Sequence, residues 1–287
     1  MSAVVMDGKA LAAEIKQALR KRCAALSRPP RLAVVLVGDD PASAVYVRNK
    51  EQDCAQCGIS CADHRLPSGT SQAELLALID TLNRDEAVDG ILVQMPLPAH
   101  LDAGQVLRAI DPAKDVDAFH PENVGLLHLG QPRYLPCTPA GILALLKKYG
   151  IDPAGKHCVV VGRSNIVGKP MAALLLQADA TVTVCHTKTV NTAEICKNAD
   201  IIVSAAGVLN SLTKDYVRPG QVVIDVSINW DANKPNAKGG LGGIAGDACF
   251  SEVEPIVDAI TPVPGGVGSV TTSVLMKHVV EAAEKRS

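Results

Sequence analysis

Short apolar runs alternate with segments of helical periodicity along the first hundred residues. The continuous apolar run 32–37 ends at Gly38, which is typical of a buried strand. Apolar positions three and four apart over 11–26 predict a helix before it, and 43–57 predicts a second helix that ends at Gly58. Strands that alternate with helices favour βαβ units, in which parallel strands are joined by right-handed crossovers.

The same rhythm continues to about residue 94. Residues 59–66 predict a strand, and Ser71 followed by Glu74 forms a capping box that opens a helix through Leu82. The segment 89–94 predicts the next strand, with Gln94 at its carboxyl end. Ligands of open parallel sheets bind at the carboxyl ends of the strands, so this edge is the expected binding edge.

A second α/β unit follows a segment, 97–136, that is rich in Pro, Asp, His and Gly and indicates a boundary or a functional loop. Thr138 can cap a helix that begins at Pro139 and ends at Gly150. The apolar runs that follow predict strands at 157–161, 181–185, 200–204 and 221–225, with helices from about 168 and 191. We expect an exposed loop over 230–249 and a final helix over 271–285.

Composition limits the class of protein. The 287 residues are 47% hydrophobic and 20% charged, which excludes disordered and coiled-coil chains. The net charge of −2 and an aromatic content of 2% argue against nucleic-acid binding. No apolar run approaches the roughly 18 to 20 residues of a membrane span, and no secretory signal is visible, so we expect no membrane and a cytoplasmic location with nine reduced cysteines.

The segment 159–170, VVVGRSNIVGKP, places a glycine-rich turn between a strand and a helix, as a dinucleotide site requires. Its spacing is not G-x-G-x-x-G, so the turn alone does not distinguish a cofactor site from an ordinary βα turn. Arg163 and Ser164 favour the site, because a guanidinium and a hydroxyl suit the 2′-phosphate of NADP. An ordinary surface arginine is the alternative.

Tyr46 and Lys50 lie four apart on one face of the predicted second helix, and Gln94 lies at a strand end, where ligands bind. A lysine accepts a proton only if burial lowers its pKa, and a neighbouring tyrosine can orient it or the substrate. Asp115 and Asp117 can bind a guanidine-like or aminopyrimidine edge, because a carboxylate accepts two parallel N–H donors. The alternative for Tyr46 and Lys50 is a solvated helix face, and the alternative for the two aspartates is helix capping.

Cys54, Cys57, Cys61 and His64 supply enough nitrogen and sulfur ligands for tetrahedral zinc. Against this hypothesis, the first two belong to a predicted helix that Gly58 ends, and Cys61 falls in an apolar strand where a buried thiol is ordinary. We therefore expect no metal, and keep a zinc-binding interaction protein as an alternative.

Seven segments in this order resemble the bifunctional methylenetetrahydrofolate dehydrogenase/methenyltetrahydrofolate cyclohydrolase family over essentially the whole chain. They are YVRNK with a following CGI, LPSGTSQAELL, DGILVQMPLP, PAKDVDAFHPENVG, PCTPAG, VVVGRSNIVGKP and TPVPGGVGSVTTSVL. The resemblance implies oxidation of 5,10-methylenetetrahydrofolate by NADP+ and hydrolysis of the methenyl product to 10-formyltetrahydrofolate. A dehydrogenase of another small substrate remains an alternative.

The resemblance also implies residue roles. It places Tyr46, Lys50, Gln94 and Asp117 in the catalytic folate site, with Cys137 and Thr138 nearby and Pro264, Gly265 and Gly266 in a substrate loop. It places Gly162, Arg163, Ser164, Ile166, Val167, Gly168, His186 and Thr187 at NADP. The absence of an acidic residue after the strand 181–185 fits NADP better than NAD. Four positions depart from the family pattern: Ala118, Leu126, Ser269 and Val270.

These observations predict an α/β protein of two domains, the second a Rossmann-like, doubly wound parallel sheet. We expect a folate-binding domain over 1–118 and 266–287 and an NADP-binding domain over 119–265. The helices 139–149 and 271–285 are expected to join them across a cleft that holds tetrahydrofolate one-carbon derivatives and NADP. The family resemblance adds a homodimer.

Overall fold

Parallel strands form both main sheets of the protein. The computed structural model describes residues 2–235 and 240–286. The strands are β1 (Val4–Val5), β2 (Arg31–Val37), β3 (Ser60–Leu66), β4 (Gly90–Val93), β5 (His157–Val161), β6 (Thr181–Cys185), β7 (Ile201–Ser204), β8 (Val222–Asp225), β9 (Asn229–Pro235), β10 (Leu241–Ala245) and β11 (Ala259–Ile260).

Helices cover most of the intervening chain. They are α1 (Gly8–Ala24), α2 (Pro41–Cys57), α3 (Gln72–Arg84), α4 (Ala103–Ala109), α5 (Pro121–His128), α6 (Cys137–Lys148), α7 (Gly168–Gln177), α8 (Thr192–Lys197), α9 (Phe250–Val253) and α10 (Val267–Glu284), with a 3₁₀ turn at Lys214–Tyr216. None of the helices in the described part of the chain is long and apolar enough to cross a membrane.

The smaller sheet has the order β3-β2-β4, with both pairs parallel. The central strand β2 is buried, and its residues pack with α3 and α4 in one apolar core. Local signals set the helix limits as predicted. Gly58 ends α2 in the left-handed conformation, with φ of 81°, and the capping box of Ser71 and Glu74 begins α3.

The larger sheet has the order β1-β11-β8-β7-β5-β6, and all its pairs are parallel. Strand β5 lies beside both β6 and β7, so the chain reverses its direction of progress across the sheet at β5. This switch point is where open α/β sheets bind ligands. The α/β class with a doubly wound parallel sheet is therefore confirmed.

The chain divides into two compact units, one of residues 1–12 and 138–271 and the other of residues 13–137 and 272–287. These limits differ from the predicted 118/119 and 265/266. The first strand pairs with β11, which ties the amino terminus to the larger sheet. Residues 119–137 belong with the smaller sheet, where Asp115 accepts hydrogen bonds from His120 and Asn123. That 139–149 and 271–285 join the domains across a cleft stays a prediction.

The prediction of an exposed loop over 230–249 is wrong for the strands that the structure describes within it. Strands β9 and β10 pair antiparallel there, and residues 236–239 lie outside the described residues. The sequence hides this pair because glycines replace the apolar alternation of a strand. Gly242 is required by packing: a Cβ at this position would lie 2.6 Å from Cζ2 of Trp230.

Replacement of Ser71 with alanine tests the cap of α3. The side chain of Ser71 accepts a hydrogen bond from the Glu74 amide, and the Glu74 carboxylate accepts one from the Ser71 amide at 2.8 Å. Ser71→Ala removes the first bond and also the 2.7 Å bond that the Ser71 hydroxyl donates to the Glu74 carboxylate, so we expect the free energy of unfolding to fall by about 1 kcal/mol. Urea denaturation followed by circular dichroism measures this change. Ser71→Thr is the matched control and keeps the hydroxyl, so an equal loss in both variants would contradict the capping role.

Candidate functional site

Helix α2 and strand β4 bring Lys50 and Gln94 together. Lys50 lies half-buried on α2, and its Nζ donates a 2.6 Å hydrogen bond to Oε1 of Gln94, which follows the carboxyl end of β4. The amide group of Gln94 donates in turn to the carbonyl of Met95 at 2.6 Å. This second bond fixes the amide orientation, so the oxygen faces the lysine. Tyr46 lies one turn earlier on α2, 40% exposed.

Burial dominates the electrostatics of this pair. It lowers the pKa of Lys50, and the nearby acidic groups Asp117 and Cys137, in their ionised forms, oppose that effect. Burial also raises the pKa of Asp117, which the positive charge of Lys50 opposes. Desolvation therefore favours the uncharged form of both groups. Gln94 holds the lysine through a neutral oxygen and adds no negative charge that would keep it protonated.

Asp117 is supported from α6 and α10. Cys137, the first residue of α6, is buried beside Asp117, and burial raises its pKa well above the usual value. Nδ1 of His278 on α10 lies 2.8 Å from the carbonyl oxygen of Val116. Burial lowers the pKa of His278 to about 4. A neutral imidazole can donate from Nδ1 to that carbonyl, which anchors the residue before Asp117.

The two aspartates of the KDVD segment differ in their surroundings. Asp115 accepts hydrogen bonds from the amide of His120 at 2.7 Å and from Nδ2 of Asn123 at 2.8 Å. Its carboxylate therefore stabilises the start of α5. Asp117 stays at the Lys50 site.

Ala118 adopts a left-handed conformation with φ of 61°, and its side chain is buried against Tyr134 and Ala282. Glycine, which the family pattern has here, takes this conformation without a steric penalty. The departure therefore places backbone strain directly after Asp117. Of the other departures, Val270 is buried and packs against Gly141, where an added Cβ would lie 3.4 Å from Cγ1 of Val270. Nothing in the structure explains Leu126 or Ser269.

The turn between β5 and α7 is closed by glycines. Gly162 has φ of 128°, and a Cβ there would lie 2.3 Å from the carbonyl oxygen of Ala205. A Cβ on Gly168 would lie 2.2 Å from the carbonyl oxygen of Gly162. The Gly162 amide donates to the carbonyl of Cys185 at 2.8 Å, which ties the turn to the end of β6. Both glycines are required by close backbone packing.

The amides of Val167 and Gly168 at the start of α7 are not open to an anion. Oγ of Ser164 accepts hydrogen bonds from the amides of Val167 at 3.1 Å and Gly168 at 3.3 Å. The Ser164 hydroxyl can still donate its own proton to an anion. Arg163 and Ile166 are exposed on the same turn.

His186 and Thr187 follow β6, and Thr187 is exposed. Nδ1 of His186 accepts a hydrogen bond from the Lys188 amide at 3.1 Å, which fixes the ring orientation. Because β6 pairs with β5, these residues and Arg163 follow neighbouring strand ends. The segments 162–168 and 186–189 contain no carboxylate, so no acidic side chain of these segments would repel a bound phosphate.

The predicted substrate loop lies directly before α10, which begins at Val267 and not at 271. Gly265 has φ of 110°, and its carbonyl accepts hydrogen bonds from the amides of Gly8 and Lys9 at 2.9 and 3.2 Å. Gly266 is buried and Pro264 is exposed. The loop is therefore fixed to the start of α1.

The Cys/His motif forms no ligand set. Cys54 and Cys57 are buried on α2, Cys61 lies on β3, and all nine cysteines are free thiols. Within residues 2–235 and 240–286, no three His, Cys, Asp or Glu side chains are grouped to hold a metal ion. The zinc alternative therefore gains no support from the geometry.

Two family models match this chain. The catalytic domain of tetrahydrofolate dehydrogenase/cyclohydrolase matches residues 6–117, and the NAD(P)-binding domain of the same family matches residues 136–287. The chain belongs to the tetrahydrofolate dehydrogenase/cyclohydrolase family. The α2–β4 site lies in the family's catalytic domain, and the β5–α7 turn lies in its NAD(P)-binding domain.

Full-length relatives agree with this family. The chain is 53% identical over 286 residues to the bifunctional protein FolD of Acidiphilium cryptum, with 100% of each covered. It is similar to the structure of the bifunctional enzyme FolD, a methylenetetrahydrofolate dehydrogenase/cyclohydrolase, from Campylobacter jejuni, with a TM-score of 0.94, 47% identity and 100% of each chain covered. The structure of the Trypanosoma brucei dehydrogenase-cyclohydrolase, complexed with NADP and an inhibitor, has a TM-score of 0.94 and 38% identity and covers 100% of this chain and 99% of its own.

Sequence reasoning missed two buried aspartates of the NAD(P)-binding domain, Asp225 at the end of β8 and Asp247 after β10, which share a hydrogen-bonded cluster. An aspartate that closes the apolar run of β8 is the one available signal for this cluster.

Replacement of Gly162 with alanine tests the closure of the nucleotide turn. The variant combines an unfavourable φ with a clash against backbone, so we expect the free energy of unfolding to fall by more than about 3 kcal/mol. Fluorescence of Trp230, the single tryptophan, reports unfolding of the same unit. Gly155→Ala is the matched control, since φ there is 70° but nothing lies within 4 Å of the added Cβ. A similar loss in both variants would show that the Ala205 contact is unimportant.

Proposed function

We propose that this chain oxidises 5,10-methylenetetrahydrofolate with NADP+ and hydrolyses the methenyl product to 10-formyltetrahydrofolate, with Lys50 at the hydrolytic centre. The observation that carries the proposal is the 2.6 Å hydrogen bond from Lys50 to a neutral amide in a desolvated site of the family's catalytic domain. The membership of the family supports the two activities, and the geometry supports the residue roles.

The β5–α7 turn fits NADP. When bound, the nicotinamide ring supplies hydride chemistry, which no side chain provides. Arg163 would pair with the 2′-phosphate, since a guanidinium donates two parallel hydrogen bonds to phosphate oxygens. Ser164, His186 and Thr187 would add donors, and Gly162 and Gly168 keep the turn close to the sheet. The Trypanosoma brucei relative, whose structure contains NADP, supports this assignment.

Hydrolysis of the methenyl cation requires a base, because water that attacks the cationic carbon must lose a proton. The bond from this carbon to N5 then breaks as N5 takes up a proton, so the formyl group stays on N10 and one proton is released overall. Lys50 would take that proton at Nζ. Its lowered pKa increases the uncharged fraction near neutral pH, and Gln94 directs the nitrogen.

Asp117 would bind the aminopyrimidine edge of the folate ring by paired hydrogen bonds, and Cys137 and His278 hold the backbone on which it lies. Tyr46 would contact the folate from the same face of α2 as Lys50.

A paired assay on one purified sample tests the proposal. Methylene oxidation is followed by NADPH absorbance, and methenyl hydrolysis by loss of the methenyl chromophore. We expect both activities. Absence of folate-dependent reduction with either nicotinamide cofactor would overturn the dehydrogenase proposal, and hydrolysis no faster than buffer would overturn the cyclohydrolase proposal.

Replacement of Lys50 with methionine separates the two activities. Lys50→Met keeps the length of the side chain and removes the base, so we expect hydrolysis to fall by about 10²- to 10⁴-fold while measurable oxidation remains. In the unsubstituted protein, hydrolysis should increase with pH through the lowered pKa of Lys50, because only the neutral amine accepts a proton. The variant should lose this increase.

Lys21→Met is the matched control, since Lys21 is an exposed lysine on α1. It should keep both activities and the pH profile. Full hydrolysis by Lys50→Met would end the assignment of the base.

Replacement of Arg163 with alanine tests the phosphate contact. Arg163→Ala removes a charge-assisted hydrogen bond to the 2′-phosphate, so we expect Kd for NADP to increase by about 10- to 100-fold. Kd for NAD, which lacks that phosphate, is the internal control and should change little. Isothermal titration calorimetry measures both, and an equal loss for the two cofactors would contradict the proposed contact.

We further propose a homodimer located in the cytoplasm. The resemblance to the family supports the dimer, and the nine free cysteine thiols support a reducing compartment.

A further inference from the structure

We propose that Asp247 is a positioning residue of the nucleotide site: its buried carboxylate fixes the loop 205–208 against the β5–α7 turn. The inference rests on the proposed function, because it takes that turn as the NADP site. Asp247 follows β10 and is fully buried, and it lies outside every segment that carried the family resemblance.

The carboxylate of Asp247 collects amides from one loop. Oδ2 accepts hydrogen bonds from the amide of Ala206 at 2.8 Å and from that of Gly207 at 3.3 Å, and Oδ1 accepts one from the amide of Val208 at 2.8 Å. Three consecutive backbone N–H groups therefore point at one carboxylate. Gly207 has φ of 70°, the left-handed step that turns successive amides to the same side.

Side chains complete the coordination. Oδ2 of Asp247 accepts hydrogen bonds from the hydroxyls of Ser204 at 3.0 Å and Ser227 at 2.8 Å, and Oδ1 accepts one from Nδ2 of Asn229 at 3.1 Å. All six partners are donors. Only an ionised carboxylate accepts at both oxygens in this way, so an amide of the same shape cannot replace it.

A second aspartate holds the backbone of Asp247. The carboxylate of Asp225, at the end of β8, accepts hydrogen bonds from the amides of Asp247 at 3.0 Å and Ala248 at 2.7 Å. Gly246 must lack a side chain, because a Cβ there would lie 1.9 Å from Oδ2 of Asp225. The position of the Asp247 carboxylate is thus fixed by the sheet.

The loop that Asp247 holds contacts the nucleotide turn directly. Ala205 begins this loop, and its carbonyl oxygen is the atom that a Cβ on Gly162 would approach to 2.3 Å. The Ala205 amide donates to the carbonyl of Val161, the last residue of β5, at 2.8 Å. A displacement of 205–208 therefore moves the support on which Gly162 lies.

The cluster also has an electrostatic consequence. Three converging amides form an anion-binding concavity of the kind that holds phosphates. Because the carboxylate of Asp247 occupies this concavity, an anionic ligand cannot bind there and would bind instead at the donors of the β5–α7 turn.

Replacement of Asp247 with asparagine tests the inference. Whichever way the new amide is oriented, its NH₂ group faces former donors, and leaving buried donors unpaired costs about 1–3 kcal/mol. We expect Kd for NADP to increase by about tenfold or more and KM for NADP to follow. Methenyl hydrolysis, which uses Lys50 in the other unit, should keep its kcat and KM. A role in stability alone would lower both activities together through the fraction of folded protein.

Two further variants keep the test decisive. Asp200→Asn is the control. The Asp200 carboxylate accepts a 2.9 Å hydrogen bond from the amide of His157, the first residue of β5, at the opposite edge of the same sheet. Its loss should leave Kd for NADP unchanged. Ser227→Ala removes one hydrogen-bond donor to Asp247 and the hydroxyl that accepts a bond from the Gly207 amide. This variant tests the role of Asp247 if Asp247→Asn fails to fold. It should increase Kd for NADP in the same direction by a smaller factor.

Folded Asp247→Asn protein with normal NADP affinity would overturn the inference, and so would equal losses of oxidation and hydrolysis. If Asp247→Asn does not fold, normal NADP affinity in Ser227→Ala would overturn it. Failure of the unsubstituted protein to bind NADP would instead overturn the proposed function, and the inference with it.

Discussion

Parallel strand pairing is the constraint on which both candidate sites depend. Strands that run in one direction end at one edge, so residues far apart in sequence meet where their strands end. In the smaller sheet this edge carries Gln94, beside Lys50 of α2. In the larger sheet it carries the turn at Gly162, the His186 segment after β6 and the loop after β7. The glycines and buried aspartates then set how closely these loops approach one another within the sheet edge.

Desolvation links the fold of the smaller sheet to its chemistry. The same burial that excludes water from α2 and β4 lowers the pKa of Lys50 and raises that of Asp117. A carboxylate in place of Gln94 would raise the pKa of the lysine, whereas the amide oxygen directs Nζ at no electrostatic cost to the neutral form. The hydrogen bond from Gln94 to the carbonyl of Met95 completes this arrangement, since it fixes which end of the amide faces the lysine.

Most of the fold could be predicted from the sequence because its signals are local. The capping box at Ser71, the left-handed Gly58 and the apolar run of β2 each act within a few residues. The hairpin of β9 and β10 was missed because its glycines serve the packing of Trp230, a partner that no local pattern reveals.

The candidate sites divide in the same way. The residues of the glycine-rich turn could be found from the sequence, but the use of Ser164 to bind the first amides of α7 depends on a loop geometry that the sequence does not display. Asp247 was invisible because its partners lie about 20 to 40 residues away along the chain, on the loops after β7 and β8.

The central claim is that burial keeps a substantial fraction of Lys50 uncharged. The ionisation of Lys50 can be measured by nuclear magnetic resonance on protein with isotopically labelled lysine side chains, with the Lys50 signal assigned by its loss in Lys50→Met. The account predicts that this signal titrates at a lower pH than the lysine signal of an unfolded peptide, because burial disfavours the charged ammonium. A Lys50 signal that titrates with the peptide lysine, or at higher pH, would contradict it.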